Sequence, residues 1–220
     1  MCKLKSMIAL KGRIYMADAD SHSDMLKELG IEDDYLGASK KFVRLELSPE
    51  YGDPFSDIDT WNLCVDQDIR PEWYSDEEYK PMAVEAVKEW AKSHIFVGVN
   101  GLRLKTGTKY YIKDCKDVEI SGSASVEAWG SASVEAWDSA SVKAWGSASV
   151  KAWDSASVKA WGSAIIFNSL YSDWKKQSSL ILSENATFKD NIGKVIYQSG
   201  DFKLVIVESG KPLSESNVEK

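Results

Sequence analysis

The chain has 220 residues and a mass of 24.5 kDa, and 44% of its residues are apolar, which excludes a peptide-sized scaffold and a globally disordered chain. Its 34 acidic residues outnumber the 27 basic ones, giving a net charge of −7, so a basic footprint for nucleic acid or an anionic membrane is not expected. Three scattered cysteines and two histidines are too few for a disulfide framework, a cysteine zinc site or a multi-histidine metal centre.

Residues 1–106 carry most of the acidic excess and predict a compact α+β domain of about four strands and two helices. Residues 21–30 begin with a capping box and end on glycine, which predicts a short helix. Residues 42–48 and 61–65 alternate apolar and polar side chains, which predicts two half-buried strands.

A longer second helix is predicted after Ser75, which forms a capping box with Glu78, and Pro81 suits the first turn of that helix. The apolar stripe of this helix recurs every three to four residues and comprises Val84, Val87, Ala91 and His94.

The Asn100-Gly101 pair that follows the helix lies between FVGV and LRL and predicts a β-hairpin, because both residues tolerate positive φ.

An eight-residue repeat dominates the rest of the chain. From Ser123 to Gly162 the chain consists of the octads SASVEAWG, SASVEAWD, SASVKAWG, SASVKAWD and SASVKAWG, which predicts a solenoid or array. Within an octad, Ala and Val alternate with Ser, a charged residue and Trp, which predicts a strand whose small apolar side chains face inward. The Gly-Ser or Asp-Ser pair after each Trp predicts a turn.

The last residue of the octads alternates between Gly and Asp, so the true repeat is two octads long. This favours a two-sided parallel β-solenoid in which Gly fills one corner column and Asp the opposite one. Such a coil stacks Glu127 on Lys143 and Lys159, and Glu135 on Lys151, at a spacing of ~4.8 Å. A triangular coil of three octads would instead stack Glu127 on Lys151, and an up-and-down meander would flip the apolar face at every strand.

The predicted fold class is therefore mainly β, with a solenoid core between two other parts. The solenoid is expected over residues 107–166, after the α+β domain of residues 1–106. Because open sheet edges recruit other chains, a C-terminal β cap is expected over residues 167–207, including a hairpin around Ser199-Gly200. Residues 208–220 lack apolar periodicity and predict a disordered tail.

The run IKDCKDVEISGSASVEAWGSASV, together with the octads, resembles uncharacterised octapeptide-repeat proteins of gut bacteria and their phages. Those proteins carry tandem octads after a small acidic N-terminal domain. The resemblance covers residues 95–165 specifically and residues 40–95 loosely. It implies a β-solenoid but no established activity, so no catalytic or binding residues follow from it.

The sequence predicts no catalytic residues, no metal site and no cofactor. Asp18, Asp20 and Asp24 lack the Gly and Glu of a calcium loop and indicate a turn that leads into a helix cap. His94, Cys64 and Cys115 are interpreted as structural side chains. An alternative hypothesis, an enzyme with a carboxylate site within residues 40–106, would use Asp53, Asp57, Asp59, Asp66 and Asp68.

The tryptophans of the octads are the candidate binding residues. A two-octad coil places them in two outward columns, Trp129–Trp145–Trp161 and Trp137–Trp153. Such a column is either a platform for a protein, a sugar or a base, or a ladder that stabilises the corners, and the sequence leaves both interpretations open.

We therefore expect a non-enzymatic binding or interaction protein that presents a repeated solenoid surface to a protein partner or to itself, as at least a homodimer. The resemblance suggests a phage or mobile-element accessory protein that blocks a host factor. An enzyme and a structural fibre or filament element are the alternatives. The short apolar runs near the N-terminus and the sparse cysteines lead us to expect a cytoplasmic location without membrane insertion.

Overall fold

The computed structural model describes residues 4–18, 20–33, 40–105, 107–168, 180–182, 185–189, 195–198 and 205–207. The chain divides into two compact units, residues 1–93 and 94–220. The chain is mainly β, and the predicted two-sided parallel solenoid with an α+β N-terminal region is confirmed.

Within its described residues, the first unit contains one antiparallel sheet, two α-helices and a short 3₁₀ helix. The strands pair in the order β2-β1-β3-β4. The elements are β1 Lys5–Leu10, β2 Arg13–Tyr15, α1 His22–Glu28, β3 Val43–Ser48, the 3₁₀ helix Ile58–Thr60, β4 Asn62–Val65 and α2 Asp76–His94. The strands predicted at residues 42–48 and 61–65 are β3 and β4, and the two predicted helices are α1 and α2, whereas β1 and β2 were not predicted.

Both predicted helix caps are formed. The hydroxyl of Ser21 accepts a hydrogen bond from the backbone N–H of Asp24 (3.2 Å), and Ser75 does the same for Glu78 (3.3 Å). The predicted stripe on α2 is buried. The aspartate-rich segment before α1 is held by an ammonium group, because Nζ of the buried Lys5 lies 2.8 Å from Oδ1 of Asp20.

The second unit contains two facing stacks of strands, which we call sheet II and sheet III. Sheet II has the order β18-β15-β13-β11-β9-β7-β5, and sheet III has the order β17-β16-β14-β12-β10-β8-β6. Their strands are β5 Ile95–Val97, β6 Arg103–Leu104, β7 Lys109–Lys113, β8 Val118–Ile120, β9 Ser125–Trp129, β10 Ser133–Ala136, β11 Ser141–Ala144, β12 Ser149–Ala152, β13 Ser157–Ala160, β14 Ile165–Asn168, β15 Leu180–Leu182, β16 Thr187–Lys189, β17 Val195–Gln198 and β18 Val205–Val207.

One coil consists of one strand from each sheet, and consecutive coils pair in parallel with an offset of two octads. Val142 pairs with Val126 on one side and Val158 on the other, and Val134 pairs with Val150. The inward Ala and Val side chains of all octads form one continuous buried core. The triangular coil and the meander are thereby excluded, since Glu127 pairs with Lys143 and all of these pairings are parallel.

The predicted hairpin at Asn100-Gly101 is wrong. The flanking strands β5 and β6 belong to different sheets, and each pairs in parallel with the strand one coil later, β7 or β8. The turn is real, with Gly101 at φ +75°, but it forms the corner of a coil. The solenoid therefore begins at Ile95, within residues that the sequence assigned to the N-terminal domain.

The predicted hairpin in the C-terminal cap is also wrong. The strand β17 pairs antiparallel with β16 in sheet III, whereas β18 pairs antiparallel with β15 in sheet II. Each sheet thus ends in one antiparallel strand. The pairing offset grows in this region, from Ser149↔Ile165 to Ile165↔Thr187. The Ser199-Gly200 pair and the predicted tail, residues 208–220, lie outside the described residues.

Candidate functional site

Every octad ends at a corner where the backbone has positive φ. One corner column carries Gly130, Gly146 and Gly162, with φ of +65°, +70° and +68°, and the opposite column carries Asp138 and Asp154, with φ of +58° and +52°. Glycine enters this region without a steric penalty, and aspartate is among the side chains that tolerate it best. Both corners therefore meet the same backbone requirement with different residues.

The two corners differ in the contact that each makes with the preceding coil. At the Asp corner, Oδ2 of Asp138 accepts a hydrogen bond from the backbone N–H of Gly122 one coil earlier (3.0 Å). At the Gly corner, a Cβ on Gly146 would lie 3.2 Å from the carbonyl oxygen of Gly130. The Asp side chain therefore ties neighbouring coils together, while the Gly corner packs backbone against backbone.

Each octad tryptophan directly precedes a corner residue, and both predicted columns are formed. At the Gly corner, the ring centroids of Trp129 and Trp145 are 4.8 Å apart and those of Trp145 and Trp161 are 5.1 Å apart, with interplanar angles of 25° and 11°. At the Asp corner, Trp137 and Trp153 lie 4.7 Å apart at 4°. The two columns thus occupy opposite corners of the solenoid.

Stacking determines which part of each indole other molecules can reach. All five rings are half-buried, because each covers the face of its neighbour. The accessible part is a row of ring edges spaced by about one strand separation. The columns therefore stabilise the corners and at the same time present an apolar edge.

The column at the Gly corner continues into the earlier coils. The register places Lys113 next to Trp129 and Val97 next to Lys113, and the side chain of Val97 is 58% exposed. We call the set Val97, Lys113, Trp129, Trp145 and Trp161 the Gly-corner strip. With ~4.8 Å between coils, the strip is ~19 Å long.

Charged residues follow the same ladders beside the tryptophans, and the predicted charge pairs are confirmed. Lys143 Nζ lies 3.2 Å from Oε1 of Glu127, and Lys151 Nζ lies 2.8 Å from Oε1 of Glu135. Glu127 also contacts Lys109 at 2.7 Å. Burial lowers the pKa of Lys109, but its hydrogen bonds to Glu127 and Tyr111 outweigh that effect and leave the pKa raised.

The carboxylates of the enzyme hypothesis lie around the 3₁₀ helix and after β4. Asp53 and Asp57 lie before the 3₁₀ helix, Asp59 lies within it, and Asp66 and Asp68 follow β4. Asp59 forms an ion pair with Lys88 on α2 (2.8 Å), and Asp53 accepts a hydrogen bond from the backbone N–H of Phe55 (2.9 Å). The side chains of Asp53 and Asp59 therefore take part in local structure.

Asp66 belongs to a different group, which the sequence analysis missed. Among the described residues, one set of three candidate metal ligands has its ligating atoms within 4.8 Å of one another, namely His22, Glu46 and Asp66. They come from α1, β3 and the residue after β4, so no sequence spacing connects them. Only the strand pairing, in which Glu46 lies opposite Cys64, brings Glu46 and Asp66 to one face of the sheet.

The other residues interpreted as structural side chains have structural surroundings. The ring of the buried His94 stacks on Tyr110 with centroids 5.5 Å apart. The buried thiol of Cys115 donates to the carbonyl oxygens of Phe96 (3.5 Å) and Lys113 (3.4 Å). Cys64 is a half-buried free thiol.

Comparison of the chain with protein-family models, with curated proteins and with solved structures finds no match. Neither described helix combines the length and the hydropathy that crossing a bilayer requires.

Proposed function

We propose that this protein is a non-enzymatic binding protein whose solenoid presents the Gly-corner strip to a second copy of the chain. The observation that supports this is the strip from Val97 to Trp161, which is apolar except for Lys113 and whose members are fixed at strand spacing by the coil register. Rigid aromatic residues in a row are typical of binding surfaces, because they contribute contact area with little loss of side-chain entropy.

A second copy matches the strip in both spacing and chemistry. Identical ladders share the same ~4.8 Å repeat, so the ring edges of one copy fit between those of the other. Outward Ser side chains flank each tryptophan, and Lys143 and Lys159 lie beside Trp145 and Trp161, so that these residues supply the polar rim that interfaces need. The strip alone can bury less surface than the ~800 Å² per partner of a standard interface, so we expect micromolar association.

The two alternatives have less support. Of the carboxylates in the enzyme hypothesis, Asp59 is paired with Lys88 and Asp53 accepts a hydrogen bond from the backbone N–H of Phe55. A filament built by end-to-end stacking of coils is disfavoured at the C-terminal end, because β17 and β18 are antiparallel and do not continue the parallel ladder. Blocking of a host factor in the cytoplasm rests on the resemblance and on the sparse, unpaired cysteines.

Light scattering across a concentration series up to roughly tens of micromolar tests the proposal. We expect the wild type to dimerise and the variant Trp129→Ser/Trp145→Ser/Trp161→Ser to remain monomeric. The matched control is Trp137→Ser/Trp153→Ser, which loses the same kind of stacking at the opposite corner and should still dimerise.

A second variant separates loss of the interface from loss of stability. Val97→Glu places a charge on the strip at an exposed position and leaves all tryptophan stacking intact. It should weaken dimerisation without changing the melting temperature measured at a concentration at which both proteins are monomeric. A strictly monomeric wild type, or equal association of all four proteins, would contradict the proposal.

A further inference from the structure

The geometry around His22 in the first unit is independent of the solenoid and of its proposed function. Nε2 of His22 lies 3.0 Å from the backbone carbonyl oxygen of Leu45, and Nδ1 lies 3.5 Å from Oδ2 of Asp66. A carboxylate oxygen of Glu46 completes a group whose ligating atoms lie within 4.8 Å of one another.

The contact with Leu45 assigns the proton on the imidazole ring. A carbonyl oxygen can only accept, so Nε2 must carry the hydrogen and donate it. In the neutral ring Nδ1 then has a lone pair, and it lies 3.5 Å from Oδ2 of Asp66. A metal ion between Nδ1 and the carboxylates would bind these lone pairs, and metal-ligating histidines are commonly oriented by this kind of hydrogen bond to a backbone carbonyl.

The distance between Nδ1 of His22 and Oδ2 of Asp66 favours a bridging ion over a direct contact. A separation of 3.5 Å exceeds the usual hydrogen-bond range of roughly 2.7–3.2 Å. Two ligands that each lie ~2.1 Å from a tetrahedral ion are ~3.4 Å apart. The pair is therefore already spaced for coordination, and a carboxylate oxygen of Glu46 lies within 4.8 Å of both groups.

Access and rigidity are also suited to a metal site. The side chain of His22 is only 11% exposed, whereas that of Asp66 is 61% exposed, so the group is anchored on one side and open to solvent on the other. Three protein ligands leave a fourth position for water. A bound ion would join α1 to β3 and to the end of β4.

We propose that His22, Glu46 and Asp66 bind a divalent transition-metal ion, with Zn²⁺ as the representative. One imidazole and two carboxylates without a thiolate match the ligands that zinc and its neighbours accept, and the imidazole disfavours Mg²⁺ and Ca²⁺. Because the three ligands come from separate segments of one unit, binding should stabilise that unit against unfolding.

Calorimetric titration of the metal-free full chain with Zn²⁺ tests this proposal. We expect one site in the wild type and at least a tenfold loss of affinity in both His22→Ala and Asp66→Asn. Asp66→Asn is the decisive variant, because its exposed side chain can change without disturbing the fold. Asp68→Asn and Cys64→Ser are matched controls for nonspecific carboxylate and thiol binding, and both should bind like the wild type.

Thermal unfolding provides an independent readout. Zn²⁺ should raise the melting temperature of the wild type and of both controls, and at the same concentration it should raise that of Asp66→Asn much less. Equal binding by the wild type and Asp66→Asn, absence of binding by the wild type, or equal binding of Mg²⁺ would overturn the proposal.

Discussion

The carboxylate of Asp114 occupies the space in which a side chain at Gly130 would begin. A Cβ on Gly130 would lie 2.3 Å from Oδ1 of Asp114. From this position Oδ1 accepts hydrogen bonds from the backbone N–H (2.8 Å) and the hydroxyl (3.0 Å) of Ser131. Gly130 is therefore required for two reasons, its positive φ and the room that it leaves for the carboxylate.

Gly130→Ala should destabilise the solenoid more than Gly146→Ala. Each change places Ala at positive φ, which costs ~1–2 kcal/mol. Only Gly130→Ala also displaces Asp114 from Ser131. Urea unfolding of both variants measures the difference.

The matched control for this experiment removes the obstructing carboxylate. In an Asp114→Gly background, Gly130→Ala should cost no more than Gly146→Ala does in the wild type. Equal costs of the two substitutions in the wild-type background would contradict a specific role of Asp114.

The same carboxylate makes stability depend on pH in the acid range. Hydrogen bonds from the backbone and hydroxyl of Ser131 hold the pKa of Asp114 below its ordinary value. Because the folded-state pKa is the lower one, the stabilisation is fully present above the unfolded pKa of ~3.9 and is lost as the pH falls through the folded value.

Asp114→Asn tests this pH dependence, because Asn tolerates the φ of +55° at this position. The difference in unfolding free energy between the wild type and the variant should be constant from near-neutral pH down to ~5 and should shrink below ~4. If the difference in unfolding free energy does not change with pH, the ionised form of Asp114 does not stabilise the corner.

The two glutamates of the octads should differ in their effect on stability. Glu127 is 9% exposed and contacts both Lys109 and Lys143, whereas the side chain of Glu135 is 33% exposed and contacts Lys151. We expect Glu127→Gln to cost ~1.5–3 kcal/mol, as for a hydrogen-bonded charge near the interior. Glu135→Gln should cost under ~1 kcal/mol, as for an exposed pair.

Chemical unfolding at low and high salt distinguishes these two cases. Salt screens exposed ion pairs much more than buried ones. The loss of unfolding free energy caused by Glu135→Gln should therefore nearly vanish at high salt, whereas the loss caused by Glu127→Gln should persist. Equal costs for both variants at both salt concentrations would contradict the role assigned to burial.

The coil could be predicted from sequence because the repeat carries its own register. The alternation of Gly and Asp fixed the number of octads per coil, and the alternation of Ala and Val with polar residues fixed the inward face. The same offset also reaches the first coil, where Phe96 pairs with Ile112 and Leu104 with Ile120. Extending it there would have revealed that Asn100-Gly101 is a corner and not a hairpin.

The C-terminal cap and the His22 group could not be predicted in this way. Two apolar segments joined by a short turn have the same pattern whether they pair with each other or, as β17 and β18 do, with strands of different sheets. His22, Glu46 and Asp66 meet only through the packing of a helix on a sheet. Long-range pairing leaves no periodic signal in a single sequence, so both features required the structure.

The last prediction concerns the length of the repeat array. Deleting residues 139–154 removes one full coil, so β13 takes the place of β11 in sheet II and Lys159 takes the place of Lys143 beside Glu127. The Gly and Asp corners keep their columns. Because solenoid stability is close to a sum over coils and their interfaces, this variant should remain folded with a modest loss of unfolding free energy.

Deleting residues 147–154 removes half a coil and should have a much larger effect, although it removes fewer residues. Every later strand would change sheets, so Gly162 would fall in the Asp column and β15 and β16 would exchange sides. We expect this variant to lose cooperative thermal unfolding and to show low amide protection by hydrogen exchange. If the half-coil variant were as stable as the full-coil variant, the Gly and Asp corners would be interchangeable. The alternation of Gly and Asp would then not determine that a coil contains two octads.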